Sequence, residues 1–116
     1  MPRKSAAASA GPASAAIFAA LGDETRLHLV ARLCDEGPLS IVRLTEGVDV
    51  TRQAVSKHLR VLEEVGLVRG TRDGRENVWE LEPRRLAVAR RYLDHVSARW
   101  DETIDRLRAF VEDEDG

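Results

Sequence analysis

Cysteine is all but missing from this chain of 116 residues: Cys34 is the single example. One thiol cannot close an internal disulfide or build a multi-cysteine metal site, and such sparing use points to a reducing compartment, the cytoplasm. Aromatic residues make up only 4% of the chain, so a core must be assembled mainly from Leu, Val, Ile and Ala, a composition that suits helices. No apolar run approaches the ~18–20 residues needed to cross a bilayer. The alanine-rich stretch Ala6 to Ala16 is interrupted by Ser9, Gly11, Pro12 and Ser14, which excludes it as the apolar region of a secretory leader. Also lacking are a nucleophile paired with a base, a Gly-rich phosphate loop and a set of paired metal ligands. The expectation is a protein that is not an enzyme and needs no cofactor or metal, with no membrane partner.

What is present is a chain long enough for one domain, 33% charged and 43% hydrophobic, with a formal net charge of -2. The total conceals a strong asymmetry. Residues 51–75 carry Arg52, Lys57, Arg60, Arg69, Arg72 and Arg75 against Glu63, Glu64 and Asp73, whereas residues 101–116 carry seven acids against Arg106 and Arg108. A basic centre and an acidic end form a local electrostatic footprint suited to a polyanion.

Caps and apolar periodicity predict the element order helix, helix, helix, helix, hairpin, long helix. Residues 1–12, rich in Ala, Ser, Pro and Gly, read as a disordered tail, residues 13–112 as the folded domain, and residues 113–116 as an acidic tail. A first helix begins near Ala13 or Ser14 and stops at Gly22. Asp23 caps the second, with Glu24 complementing its dipole. Its apolar positions are Leu27, Val30, Ala31 and Leu33 or Cys34, with Cys34 as core filler, and Gly37-Pro38 ends it. Ser40 caps a short helix that buries Ile41, Leu44 and Val42 and stops at Gly47. Thr51 caps the next, which runs to Val65. Leu67 to Arg72 and Arg75 to Leu81 read as strands joined at Asp73-Gly74, a tight-turn signal. From Pro83 onward Leu86, Ala89, Leu93, Val96, Trp100, Ile104, Leu107 and Phe110 recur at spacings of three and four, giving one long apolar stripe.

The short helix, tight turn and capped longer helix form a helix-turn-helix pattern. At about 100° per residue, Val55, Leu59 and Leu62 share one side of the helix 51–65, with Ala54 and His58 flanking it, while Gln53, Ser56, Lys57 and Arg60 share the other. That second face holds an amide, a hydroxyl and two cations, with no acid before Glu63. Glutamine can pair with adenine in the major groove, Lys and Arg with guanine or phosphate, and Ser with either. Thr51 and Arg52, at the helix start, are placed for base or phosphate contacts. In the hairpin 67–81, Arg69, Arg72 and Arg75 reach backbone phosphate or the adjacent minor groove, and Trp79 anchors its base. These residues predict double-stranded DNA as the partner. A winged helix that contacts only protein is the competing reading, and the acid-free face opposes it.

Leu21-Gly22-Asp23-Glu24-Thr25-Arg26 resembles the opening motif of ArsR-type regulators. The run Arg52-Gln53-Ala54-Val55-Ser56-Lys57-His58-Leu59-Arg60-Val61-Leu62, followed by Gly66-Leu67-Val68, resembles that family's helix-turn-helix signature, and Gly74-Arg75 its wing. The resemblance spans roughly residues 14–112. It implies a mainly α winged helix-turn-helix fold of five helices and a two-stranded wing, working as a homodimeric transcriptional repressor. It also implies that His58 lies near the DNA face, either to contact phosphate or simply to support the helix, and that dimers form through the first and last helices, here by Ile17, Leu86, Leu93, Val96, Trp100, Ile104 and Leu107. Arsenic- and cadmium-sensing members carry a Cys-x-Cys pair where this chain has Ser40 and Val42, which offer no thiolate. Zinc-sensing members carry ligands on the last helix, where this chain has adjacent Asp94 and His95 and no second histidine. The sequence therefore resembles the metal-free branch, with no effector indicated.

Overall fold

A computed structural model of the chain describes residues 6–115. The elements in order are α1 (Ala6–Leu21), α2 (Glu24–Glu36), β1 (Leu39–Ser40), α3 (Ile41–Glu46), α4 (Arg52–Glu64), β2 (Val68–Asp73), β3 (Glu76–Leu81) and α5 (Pro83–Asp115). Three helix starts are fixed by the expected caps. The side chain of Asp23 accepts the N–H of Arg26, Ser40 that of Arg43, and Thr51 that of Ala54. Each satisfies one of the amide groups that a first helical turn leaves free.

The core is a single cluster contributed by every helix. Ile17 from α1, Leu29 and Leu33 from α2, Leu44 from α3, and Val55, Leu59 and Leu62 from α4 close on Leu67, Val68 and Ala89. In α2 the buried pair is Leu29 and Leu33, one turn apart; Leu33 and the half-buried Val30 lie where the sequence placed them, while Leu29 takes the place expected of Leu27. Leu27 is exposed, as is Cys34, which is therefore not core filler. Val42 also faces outward, leaving α3 to bury Ile41 and Leu44.

The expected two-stranded wing forms from β2 and β3, and a third strand not read from the sequence joins it, giving a sheet of order β1-β3-β2. The added strand is only two residues long and pairs antiparallel with β3, Leu39 against Trp79 and Ser40 against Val78. This ties the base of the hairpin to the start of α3. At the tip Gly74 takes φ 65, a left-handed conformation in which a side chain would be strained. At the base, Gly70 lies across from Trp79, whose ring atoms approach to 3.0 Å of where a Cβ would stand. Glycine there lets the indole fold flat over the strand.

Both helical ends of the chain run further than expected. The first helix starts at Ala6, so residues 6–12 are helical where a tail was expected; alanine is the strongest helix former, and it dominates this stretch. Residues 1–5 of the expected tail lie outside the described residues. The last helix likewise continues through the acidic segment to Asp115, and only Gly116 of that segment lies outside. At about 1.5 Å per residue, the 33 residues of α5 make a rod of roughly 50 Å. Its first turns pack on the core through Leu86, Val88 and Ala89. Phe18 of α1 meets Tyr92 with ring centroids 5.9 Å apart. Beyond that contact Leu93, Val96, Trp100, Leu107 and Phe110 are exposed. No helix among the described residues is long and apolar enough to cross a membrane.

Candidate nucleic-acid interface

The geometry of α4 separates its two faces cleanly. Val55, Leu59 and Leu62 are fully buried. Gln53, Lys57 and Arg60 are exposed, Ser56 is half-buried, and the four together line one shallow depression on the outer side. Burial of the inner face holds the helix in place, so the outer four project as a fixed set. Thr51 uses its hydroxyl oxygen to cap the helix, at 3.1 Å from the Ala54 nitrogen, which leaves the hydroxyl proton free to donate outward.

Charge pairing separates three neighbouring arginines from this surface. Arg32 is bonded to Glu36 at 2.8 Å, and Arg43 lies near both Glu36 and Glu46. Arg69 is held by Glu80 at 2.6 Å and approached by Glu82, which raises its already high pKa and neutralises it locally. Cross-strand register puts Arg69 opposite Glu80, so of the three wing arginines it is the one that already has an acidic partner among the described residues. Arg52, Lys57, Arg60, Arg72 and Arg75 form no salt bridge among the described residues. All five are exposed. Arg72 and Arg75 stand at the wing tip, where Arg72 donates weakly to the Gly74 carbonyl at 3.3 Å.

Of the two roles open to His58, its geometry matches support of the helix. Its ring turns toward α2, with Nδ1 3.2 Å from Arg26 and 3.8 Å from Asp23, and its side chain is only 22% exposed. Arg26 in turn donates to the Ala20 carbonyl at 2.6 Å. The histidine thus braces α4 against the start of α2. Asp23 sits at the centre of this brace, and its carboxyl is held below its usual range. The Arg26 backbone N–H is the main cause, opposed by partial desolvation and helped by the charges of His58 and Arg26.

On α5 the apolar stripe lies bare. Leu93, Val96, Trp100, Leu107, Phe110 and Val111 are all exposed, Trp100 at 64%. Ile104 is half-buried among its own helix neighbours, and Leu86 packs partly onto the core. Ile17, expected in the same seam, is 0% exposed within its own subunit. It supports α5 from below and is not available to a partner. The charges along the rod are segregated: residues 83–99 hold five arginines and one aspartate, residues 100–115 seven acids and two arginines. No group of His, Cys, Asp and Glu among the described residues could hold a metal ion.

A family model described as a helix-turn-helix domain matches residues 21–71, which run from the end of α1 to the second strand. The HTH-type transcriptional regulator Rv2034 of Mycobacterium tuberculosis is 43% identical over 75 residues, covering 65% of this chain and 69% of that protein. The arsenical resistance operon repressor of Escherichia coli is 30% identical over 95 residues, covering 82% of this chain and 79% of that protein. Among solved structures, an ArsR-like transcriptional regulator from Rhodococcus sp. RHA1 superposes with a TM-score of 0.72 at 32% identity. It covers 85% of this chain and 92% of its own.

Proposed function

Because the chain belongs to the ArsR family of winged helix-turn-helix transcriptional regulators, we propose that it binds an operator as a homodimer, with α4 in the major groove and the wing tip on the flanking backbone. The observation that carries this reading is the outer face of α4, where Gln53, Ser56, Lys57 and Arg60 converge without an acid or a salt bridge. Gln53 and Ser56 read base edges, Lys57 and Arg60 take guanine or phosphate, and Thr51 and Arg52 hold the helix start. Arg72 and Arg75 add sequence-independent, salt-sensitive grip. His58 has a positioning role from behind the helix.

The second subunit covers the α5 stripe. Two copies of one helix related by a twofold axis bring the same patch against itself. Run antiparallel and crossing near Trp100, they set the basic half of each rod along the acidic half of the other. Repression is the mode of action we assign, in the cytoplasm with the chromosome.

Selection from random-sequence duplexes tests the whole reading. An enriched inverted repeat is expected, bound by two protomers and preferred over scrambled DNA by ~10³-fold or more at physiological salt. A pool that shows no enrichment overturns it.

A further inference from the structure

We infer that the cleft between the start of α4 and the wing is a seat for one phosphate group, gripped jointly by Arg52 and Arg75. The inference rests on the DNA-binding reading above for the source of that phosphate. The cleft, about 180 Å³, has an apolar side formed by Ile41 and Val42 and a polar side formed by Ser40 at the start of α3, Arg52 at the start of α4, and Arg75, Glu76 and Asn77 of the wing. The pairing of Ser40 with Val78 places these three elements side by side, so the cleft exists because of the short strand β1.

Its chemistry is that of an oxyanion site. The two guanidiniums come from different elements, and neither has an acidic partner among the described residues. Guanidinium presents a planar fork of N–H groups that fits phosphate oxygens two at a time. The Ser40 oxygen accepts the Arg43 N–H at 3.3 Å, which leaves its own proton to donate inward, and the Asn77 amide supplies further donors. Glu76 is the one opposing group. A single carboxylate against two guanidiniums leaves the cleft with net positive charge, and Glu76 weakens the seat without abolishing it. Arg52 directly precedes Gln53, so a phosphate held here belongs to the backbone beside the bases that Gln53 addresses. One phosphate would thereby fix both the depth of α4 and the position of the wing.

The same chemistry would also accept free inorganic phosphate, and two measurements separate the sources. The first is the slope of log affinity against log salt for Arg52→Gln, Arg75→Gln and the double variant on cognate duplex. Each neutralised phosphate contributes ~0.9 to that slope. A shared phosphate predicts small changes in the single variants and a fall of about 0.9 in the double. A fall of about 1.8 in the double means two separate phosphates, and no change means none; either overturns the shared seat on DNA. Glu76→Gln should bind the duplex more tightly, by several-fold. The second measurement is the NMR signals of the Arg52 and Arg75 side-chain N–H groups during titration with inorganic phosphate, without DNA. Saturable shifts of both, with the shift of each arginine lost when the other is replaced by glutamine, assign the seat to free phosphate as well. If the wild type binds no DNA yet shows these shifts, the seat stands and the DNA reading falls. If it binds DNA with an unaltered slope in the double variant and shows no shifts, the seat falls and the DNA reading stands.

Discussion

Replacing Trp100 with alanine is the sharpest test of how two copies meet. The indole is 64% exposed in the isolated subunit, so its loss removes little from the subunit's own core. A tryptophan side chain can bury ~200 Å², so about 130 Å² is left for a partner to cover. At ~25 cal/mol per Å², that is about 3 kcal/mol for each copy. A twofold seam contains the residue twice, but alanine still covers part of the patch and association converts area to affinity incompletely. A total loss of about 3 kcal/mol is the expected net result, a ~100-fold rise in the dimer dissociation constant. Sedimentation equilibrium over a concentration series measures this directly, and far-UV circular dichroism checks that helix content is retained. A variant that dimerises within about threefold of wild type, the scatter expected of context-dependent effects of this kind, refutes the crossing at Trp100.

Three further outcomes are expected. Gln53→Ala should cost ~1–3 kcal/mol at the cognate site and relax discrimination at one base pair; equal losses on cognate and scrambled duplex would remove Gln53 from base reading. Leu59→Ala, at a fully buried position, should cost ~2–5 kcal/mol of stability, read by chemical denaturation, and a loss well under ~1 kcal/mol would mean that the inner face of α4 is not packed as described. The third concerns acid. Asp23 and Glu36 both have carboxyl pKa values lowered in the fold, by the Arg26 N–H and by the Arg32 side chain respectively. Their stabilisation is complete above the usual carboxyl values of 3.8 and 4.5 and is lost as pH falls through the lower folded values. Asp23→Asn keeps a capping group but cannot titrate, so melting temperatures below about pH 4 should fall less steeply than in wild type; an unchanged profile would exclude Asp23 from acid unfolding.

Local chemistry made much of this molecule legible before any coordinates. Asp23, Ser40 and Thr51 each announce a helix start through a hydrogen bond only three residues long, and Asp73-Gly74 announces its turn in the same way. The opposed faces of α4 follow from helical period alone. What could not be read depends on partners distant in sequence. Strand β1 exists only because β3 passes beside it, some forty residues later. The ring of His58 turns inward because Arg26, 32 residues earlier, waits there, and Arg69 is consumed by a cross-strand glutamate that only register reveals. An apolar residue on the first helix can serve a seam or a core equally well in sequence; burial assigns Ile17 to the core. In α2 the period finds Leu33 and Val30 but leaves Leu27 and Leu29 to compete for the first turn, and packing chooses Leu29. The helical start at Ala6 reflects alanine propensity that the nearby Gly11 and Pro12 had seemed to cancel.

The uninterrupted α5 rod has a consequence for which operators the proposed dimer could use. If two rods cross at a fixed point, the distance between the two copies of α4 is set by where along the rod that point lies. Sliding the crossing by one heptad moves it about 10 Å along each rod, so the separation of the two reading heads changes by about 20 Å, roughly six base pairs of duplex, enough to turn one reading head away from its groove. The apolar stripe therefore acts as a gauge for half-site spacing. A change in its register would alter target choice while every residue that touches a base stayed the same.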